Sequence, residues 1–248
     1  VAEEKAGAYA ARAFDDCEAN QLPESEQEWL KFDVIVLGDI DPSELDMATQ
    51  RTLQKFVGKR GGTLIVVAGQ QAMPHRYLDG PLGELLPAQL AQGATKSTKS
   101  GYRFRLTEDG NRGVLMQAPF ADSNQPGMWD TLPTLFWRSP VAMAKPGATV
   151  LAWAEEDNQP SEPDAARHQA LVLWHRYGGG RVLQLNFDQT WRLRFWNGDE
   201  HHHRFWGRVM RWGTEDRLGM GTDLVRMGTD KSQYKIGDQM NVKVRLVD

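Results

Sequence analysis

Two short apolar runs, VIVL at 34–37 and TLIVV at 63–67, constrain this chain more than any other feature. Each has strand length and lacks the polar alternation that one wet face imposes, which is the pattern of a strand buried on both faces. Between them Pro42 and Ser43 open a helix, with Ser43 as its N-cap and Asp46 three residues on. Leu45, Ala48, Thr52, Leu53 and Phe56 recur at helical spacing, and GKRGG ends the helix. Strand, helix and strand in this order make a right-handed βαβ unit with parallel strands. The unit predicts an α/β fold with a three-layer, doubly wound, mostly parallel sheet.

Further elements follow along the chain. GPLGELLP (80–87) predicts a short helix stopped by Pro87, GATKSTKSG (93–101) a polar loop, and YRFRL (102–106) a half-exposed strand. GATVLAWA (147–154), QALVLWHRY (169–177) and GRVLQLNF (180–187) read as strands, the last two joined by glycines, and 156–167 reads as a solvated loop. Residues 198–212 form an amphipathic helix, with Phe205, Trp206, Val209, Met210 and Trp212 on one face and Arg204, Arg208 and Arg211 opposite. Residues 1–31 are acidic and Ala-rich, the pattern of one or two helices. The tail changes to period-2 patterning, with Val242, Val244 and Leu246 alternating with Lys243 and Arg245 after a Gly-Asp turn. This places an α/β domain at 1–218, and a linker with the first strands of a following β-sandwich at 219–248, a short all-β tail.

Composition excludes several classes. A net charge of −4 argues against a nucleic-acid partner. One cysteine, Cys17, excludes an internal disulfide and a multi-Cys zinc site. Its acidic neighbours in FDDCEAN raise a thiol pKa, so it reads as an incidental thiol. No apolar run approaches the roughly 18 residues of a membrane span. The chain starts at Val1 without a signal-peptide pattern, which predicts an excised piece of a longer protein.

Several stretches in order, GDIDP, GGTLIVVAGQ, PLGELLP, KPGATVLA, YGGGRVLQLNFDQTWRLR and HHHRFWGRVMRW, carry a resemblance. Over residues 32–213 the chain resembles the glutamine amidotransferase-like domains of large bacterial membrane proteins, which often also carry von Willebrand A modules. The resemblance implies the class I glutamine amidotransferase-like, flavodoxin-like fold. It also implies a bacterial protein that is membrane-associated only through parts outside this fragment, with other proteins or neighbouring domains of the same polypeptide as partners. The tail similarly resembles the opening strands of bacterial immunoglobulin-like β-sandwich repeats. Active class I amidotransferases set a cysteine on a Gly-x-Cys-x-Gly elbow and later supply His and Glu from a His-Pro-Glu segment. Here the elbow offers Gly69, Gln70 and Gln71, and Asn186, Phe187, Asp188 and Gln189 stand where His-Pro-Glu would be. Imidazole activates a thiolate beside an oxyanion hole, and neither Gln nor Gly can replace that nucleophile. The resemblance therefore implies a pseudoenzyme with no catalytic residue and no cofactor.

The residues left as candidates are few. Asp39 and Asp41 follow the first buried strand, at the carboxyl edge where open α/β sheets bind ligands, although Asp is also a default turn and capping residue. Asp188, Thr190 and Arg192 follow another strand, and an Asp188–Arg192 pair locking that loop is a simpler role than catalysis. With Gly69, Gln70 and Gln71 they outline a degenerate elbow and ligand edge. Successive residues on a helix point about 100° apart, so His201, His202 and His203 fan out and only Asp199 and His203 could share an ion. Two ligands rarely make a site, so no metal is expected. Trp191, Trp196, Trp206 and Trp212, with Phe195 and Phe205, read as a wedge between the last helix and the sheet, or alternatively as an aromatic sugar platform. The arginine stripe reads as a solvated face. Three functions remain: a non-catalytic binding or scaffolding domain, a hydrolase using Asp-based or metal-assisted chemistry at Asp39, Asp41 and Asp188, and a spacer without a ligand.

Overall fold

Strand β1 (Val34–Leu37) pairs in parallel with β2 (Thr63–Val67), setting Ile35 against Leu64 and Leu37 against Val66. The structure, a computed structural model, describes residues 22–91, 96–117, 129, 132–156, 165–194, 199–218, 221–222, 225–229 and 242–246. After a single helical turn α1 (Glu26–Trp29), the crossover from β1 to β2 is helix α2 (Met47–Lys55), which continues as a wider turn over Phe56–Arg60. Its N-cap is Asp46, whose Oδ1 accepts the Thr49 N–H at 2.8 Å, and not Ser43 as the sequence suggests. Ser43 instead closes a tight turn by donating its N–H to Asp41. Val36 is 40% exposed, β1 being the edge strand of its sheet.

The chain then adds α3 (Pro81–Leu85), β3 (Ala88–Leu90), β4 (Lys96–Leu106), α4 (Glu108–Arg112), β5 (Leu135–Arg138) and β6 (Val141–Ala144). These are followed by β7 (Thr149–Glu155), α5 (Ala165–His168), β8 (Ala170–Tyr177), β9 (Gly180–Leu185) and the long α6 (Glu200–Leu218). β4 takes in part of the stretch expected as a polar loop. Seven of these strands form one sheet in the order β1-β2-β9-β8-β7-β4-β5.

This sheet corrects the expected architecture. Only β1–β2 and β2–β9 are parallel, whereas β9–β8, β8–β7, β7–β4 and β4–β5 are antiparallel. The sheet is mixed and mostly antiparallel, with few helices, and is not the doubly wound, mostly parallel flavodoxin-like sheet. The reason lies in the connections. A parallel pair needs a crossover of a dozen or more residues, whereas a two-residue turn can only fold a strand back on itself. Gly178 and Gly179 form such a turn between β8 and β9. Gly178 has φ +57°, and a Cβ there would lie 2.7 Å from Cα of Gly58, so glycine is required twice over.

Both faces of the parallel strands are covered. Leu53 and Phe56 pack with Leu64, Val66 and Val182 on one face, and Phe205 and Val209 of α6 pack with Ile65, Leu183 and Leu185 on the other. Each such side chain contributes about 1.5–3 kcal/mol by leaving water. Arg181 holds α6 to the sheet, donating to the Trp212 carbonyl at 2.6 Å with its guanidinium 4.4 Å from the Trp212 ring centre. Met210, placed on the apolar face by its spacing, is exposed. Strands β10 (Gly221–Thr222), β11 (Val225–Thr229) and β12 (Val242–Leu246) form a three-stranded antiparallel sheet. Cys17, Phe195, Trp196 and the Gly-Asp turn of the tail lie outside the described residues.

Candidate functional site at the carboxyl edge of the sheet

Because β1, β2 and β9 are parallel neighbours, the segments that follow them emerge on one edge. Asp39 leaves β1 and turns its carboxylate into the loop after β2. Its Oδ2 accepts the Gln71 N–H at 2.8 Å, and its Oδ1 accepts those of Ala72 at 2.7 Å and Met73 at 2.8 Å. Gly69 makes this possible: a Cβ at that position would fall on the Asp39 carboxyl group. The loop closes further through the Gly69 N–H donated to the Met73 carbonyl at 2.7 Å. Gln70 and Gln71 are exposed, so the elbow presents two carboxamides to solvent over a carboxylate that is already fully engaged.

Asp41 is engaged as well. It accepts the Ser43 N–H at 2.9 Å and pairs with Arg76. The Ser43 backbone bond, with the Arg76 guanidinium adding to it, holds its carboxyl below the ordinary range. Next to it Tyr77 donates its hydroxyl to the Ile40 carbonyl at 2.8 Å, and burial, reinforced by Asp41, pushes its pKa up to about 12.

Asp188, which follows β9, is different. Its Oδ1 is buried and has no hydrogen-bond partner among the described residues. Burial raises its carboxyl above the ordinary range, and the nearby Asp39 carboxylate raises it further. The locking bond to Arg192 does not form: Arg192 Nε is also buried without a partner, and the guanidinium lies 4.9 Å from the centre of the Trp191 ring. Thr190 is buried in the 3₁₀ turn Gln189–Leu193, whereas Trp191, expected in the wedge beneath the last helix, is 45% exposed. Trp206 and Trp212 do pack against the core beside Phe205.

A segment that the sequence did not single out completes the edge. Ser139 donates its N–H to the Asn186 carbonyl at 2.7 Å, bringing the end of β5 against the end of β9. Arg138 and Glu156 form an ion pair at 2.8 Å, only 13% and 17% exposed. Tyr102 donates its hydroxyl to the Trp137 carbonyl at 2.7 Å; burial raises its pKa, with Arg138 opposing and Asp188 adding to the rise. Beneath them Gln184 donates to Asn186 Oδ1 at 2.7 Å, and Asn186 donates to the Ala170 carbonyl at 2.8 Å. The only sequence signal was the polar Arg-Ser pair directly after the apolar Leu-Phe-Trp run of β5.

The histidine run makes no such constellation. Asp199 directs Oδ1 to Arg194 Nε at 3.0 Å, and its backbone carbonyl accepts the His203 N–H at 3.0 Å. Among the described residues no three His, Cys, Asp or Glu side chains group to hold a metal ion, and no helix is long and apolar enough to cross a membrane.

No family model and no curated protein matches this chain. Among solved structures it is similar to a cytoplasmic protein of Salmonella typhimurium, with TM-score 0.57 and 16% identity over 78% of this chain and 76% of that one. A second cytoplasmic protein, from Salmonella typhimurium LT2, gives TM-score 0.55 and 17% identity over the same shares. A β-galactosidase from Rahnella sp. R3 gives TM-score 0.42 and 13% identity over 80% of this chain and 25% of the enzyme. At these identities the first two likenesses concern the fold alone.

Proposed function

We propose that this chain is a non-catalytic binding or scaffolding domain, a relative of the amidotransferase-like domains in which the nucleophile has been replaced by architecture. The observation that carries the reading is the threefold engagement of Asp39 by the backbone N–H groups of Gln71, Ala72 and Met73. A general base needs an unsatisfied lone pair within reach of a substrate proton. Asp39 has little such capacity, and Asp41 is tied to Ser43 and Arg76. An Asp-based or metal-assisted hydrolase would instead converge these carboxylates on an open space. The further expectations, of partner proteins or neighbouring domains and of a membrane-anchored full-length protein, rest on the sequence resemblance alone.

The test is direct. Purified protein should release no ammonia from glutamine above a buffer blank, with or without added Mg²⁺ or Zn²⁺. It should likewise leave simple ester and glycoside reporters intact. Turnover that disappears in Asp188→Asn would replace this reading with the hydrolase one.

A further inference from the structure

Buried side-chain atoms that meet no hydrogen-bond partner occur at several places among the described residues, His75 and His202 included, but seven of them come from two adjoining segments. Trp137 Nε1, Arg138 Nε and Ser139 Oγ come from the end of β5 and the loop after it. Gln184 Oε1, Asp188 Oδ1, Gln189 Oε1 and Arg192 Nε come from the end of β9 and its 3₁₀ turn. The two segments meet at the bond from Ser139 to the Asn186 carbonyl. Gln184, Ser139 and Trp137 are 0%, 1% and 5% exposed, so ordinary solvent does not satisfy them. A buried polar atom left unpaired costs about 1–3 kcal/mol, and native proteins rarely gather several in one place.

We propose that this junction is the binding site of the domain, and that its ligand is a small, uncharged polyhydroxylated molecule, a sugar or polyol; the proposal rests on the binding-domain reading above. The unmet atoms divide into donors, Trp137 Nε1–H, Arg138 Nε–H, Arg192 Nε–H and the Ser139 hydroxyl, and acceptors on Gln184, Gln189 and Asp188. An anion would face the Asp188 carboxylate and two carboxamide oxygens, while a cation would face two guanidinium groups. Arg138 is moreover neutralised by Glu156, so the site has no strong net charge to offer either. A hydroxyl both donates and accepts, and a molecule carrying several satisfies both sets. Trp191, 45% exposed on the same turn with the Arg192 guanidinium 4.9 Å from its ring centre, adds exposed apolar ring surface beside these atoms, against which the C–H groups of a sugar can pack.

The experiment uses the whole chain, with D-glucose, D-galactose and D-mannitol as probes and inorganic phosphate and Mg²⁺ as comparators. Binding is read by ligand-observed NMR and by the shift in melting temperature. At least one probe should bind saturably, with phosphate and Mg²⁺ failing to compete. Trp191→Ala, at an exposed position, should keep the fold by circular dichroism and weaken binding about tenfold, the effect of roughly 1.4 kcal/mol. Ser139→Ala should do the same through the lost hydroxyl. Absence of saturable binding by all three probes, or binding untouched by both variants, overturns the proposal and leaves ordered water as the occupant of the buried atoms. Competition by phosphate or Mg²⁺ would also overturn it. None of these results touches the non-catalytic reading, which fails only if turnover is measured.

Discussion

Asp39 and Asp188 follow two strands that flank β2 on the same edge of the sheet, yet their surroundings treat them in opposite ways. Around Asp39 three consecutive backbone N–H groups converge on one carboxylate, so the charge is solvated by the protein and the loop is held by it. Around Asp188 burial is only partly compensated, one oxygen has no partner, and Asp39 itself is an unfavourable neighbour. The difference follows from backbone geometry. The 69–73 loop turns its amides inward, whereas the 3₁₀ turn after β9 leaves Asp188 Oδ1 buried with no partner among the described residues. A carboxylate at the carboxyl edge of a sheet becomes structural or available according to how many amides reach it.

The largest effect should come from removing the structural one. Asp39→Ala leaves three amide donors unmet, two of them on the buried residues Ala72 and Met73. With a penalty near 1–3 kcal/mol for each buried orphan, the loss should be about 3–5 kcal/mol. Asp39→Asn, which keeps one acceptor oxygen but turns the other into an amide donor and removes the charge, should fall between wild type and Ala. Urea denaturation measures both, and a loss below about 1 kcal/mol for Asp39→Ala would remove the distinction between the two aspartates.

A second, smaller effect sharpens the same point. Gly69→Ala places a methyl group on the Asp39 carboxylate and should cost about 1–3 kcal/mol, typical of overpacking. The obstacle is the Asp39 side chain from its Cβ outward, so the penalty should shrink markedly in an Asp39→Gly background, which removes that atom too. Strict additivity of the two losses would mean that the glycine is required for another reason.

The parallel part of the fold was legible because burial writes unbroken apolar runs: β1 and β2 stand where VIVL and TLIVV put them, and a helix does cross between them, although it starts at Met47 and not at Ser43. The antiparallel part was misread for a definable reason. The strands at 149–155, 170–177 and 180–185 are equally apolar, and only the Gly178-Gly179 turn between the last two reveals that they reverse direction. The site divides in the same way. Asp39, Gly69 and Asp188 could be found because each follows a recognisable strand. Arg138, Ser139 and Tyr102 could not, since they reach the edge through long-range pairing of β4 with β5 and through one bond from Ser139 to Asn186. Trp191 shows the limit of composition: Phe205, Trp206 and Trp212 pack in or against the core, while Trp191 is exposed on the turn.

The smallest effect is a matter of sign. Asp188 has a folded-state pKa above its unfolded value, so the folded protein holds that proton more tightly than the unfolded chain does. Its favourable contribution is present below the unfolded carboxylate pKa, near 4, and is lost as pH rises through the folded value. Asp188→Asn cannot ionise and escapes that loss, so at neutral pH it should be slightly more stable than wild type, a gain smaller than either loss above. Asp41 is the control with the opposite slope. Its folded pKa is lowered, first by the Ser43 N–H, so its contribution is present above the unfolded value and disappears as pH falls through the folded one. Chemical denaturation from pH 3 to pH 8 should therefore show the Asp188→Asn difference growing with pH, and the Asp41→Asn difference appearing as a loss over the same range. A neutral-pH loss of stability in Asp188→Asn would show that Asp188 is held by a partner after all, and the contrast between the two ends of the edge would collapse.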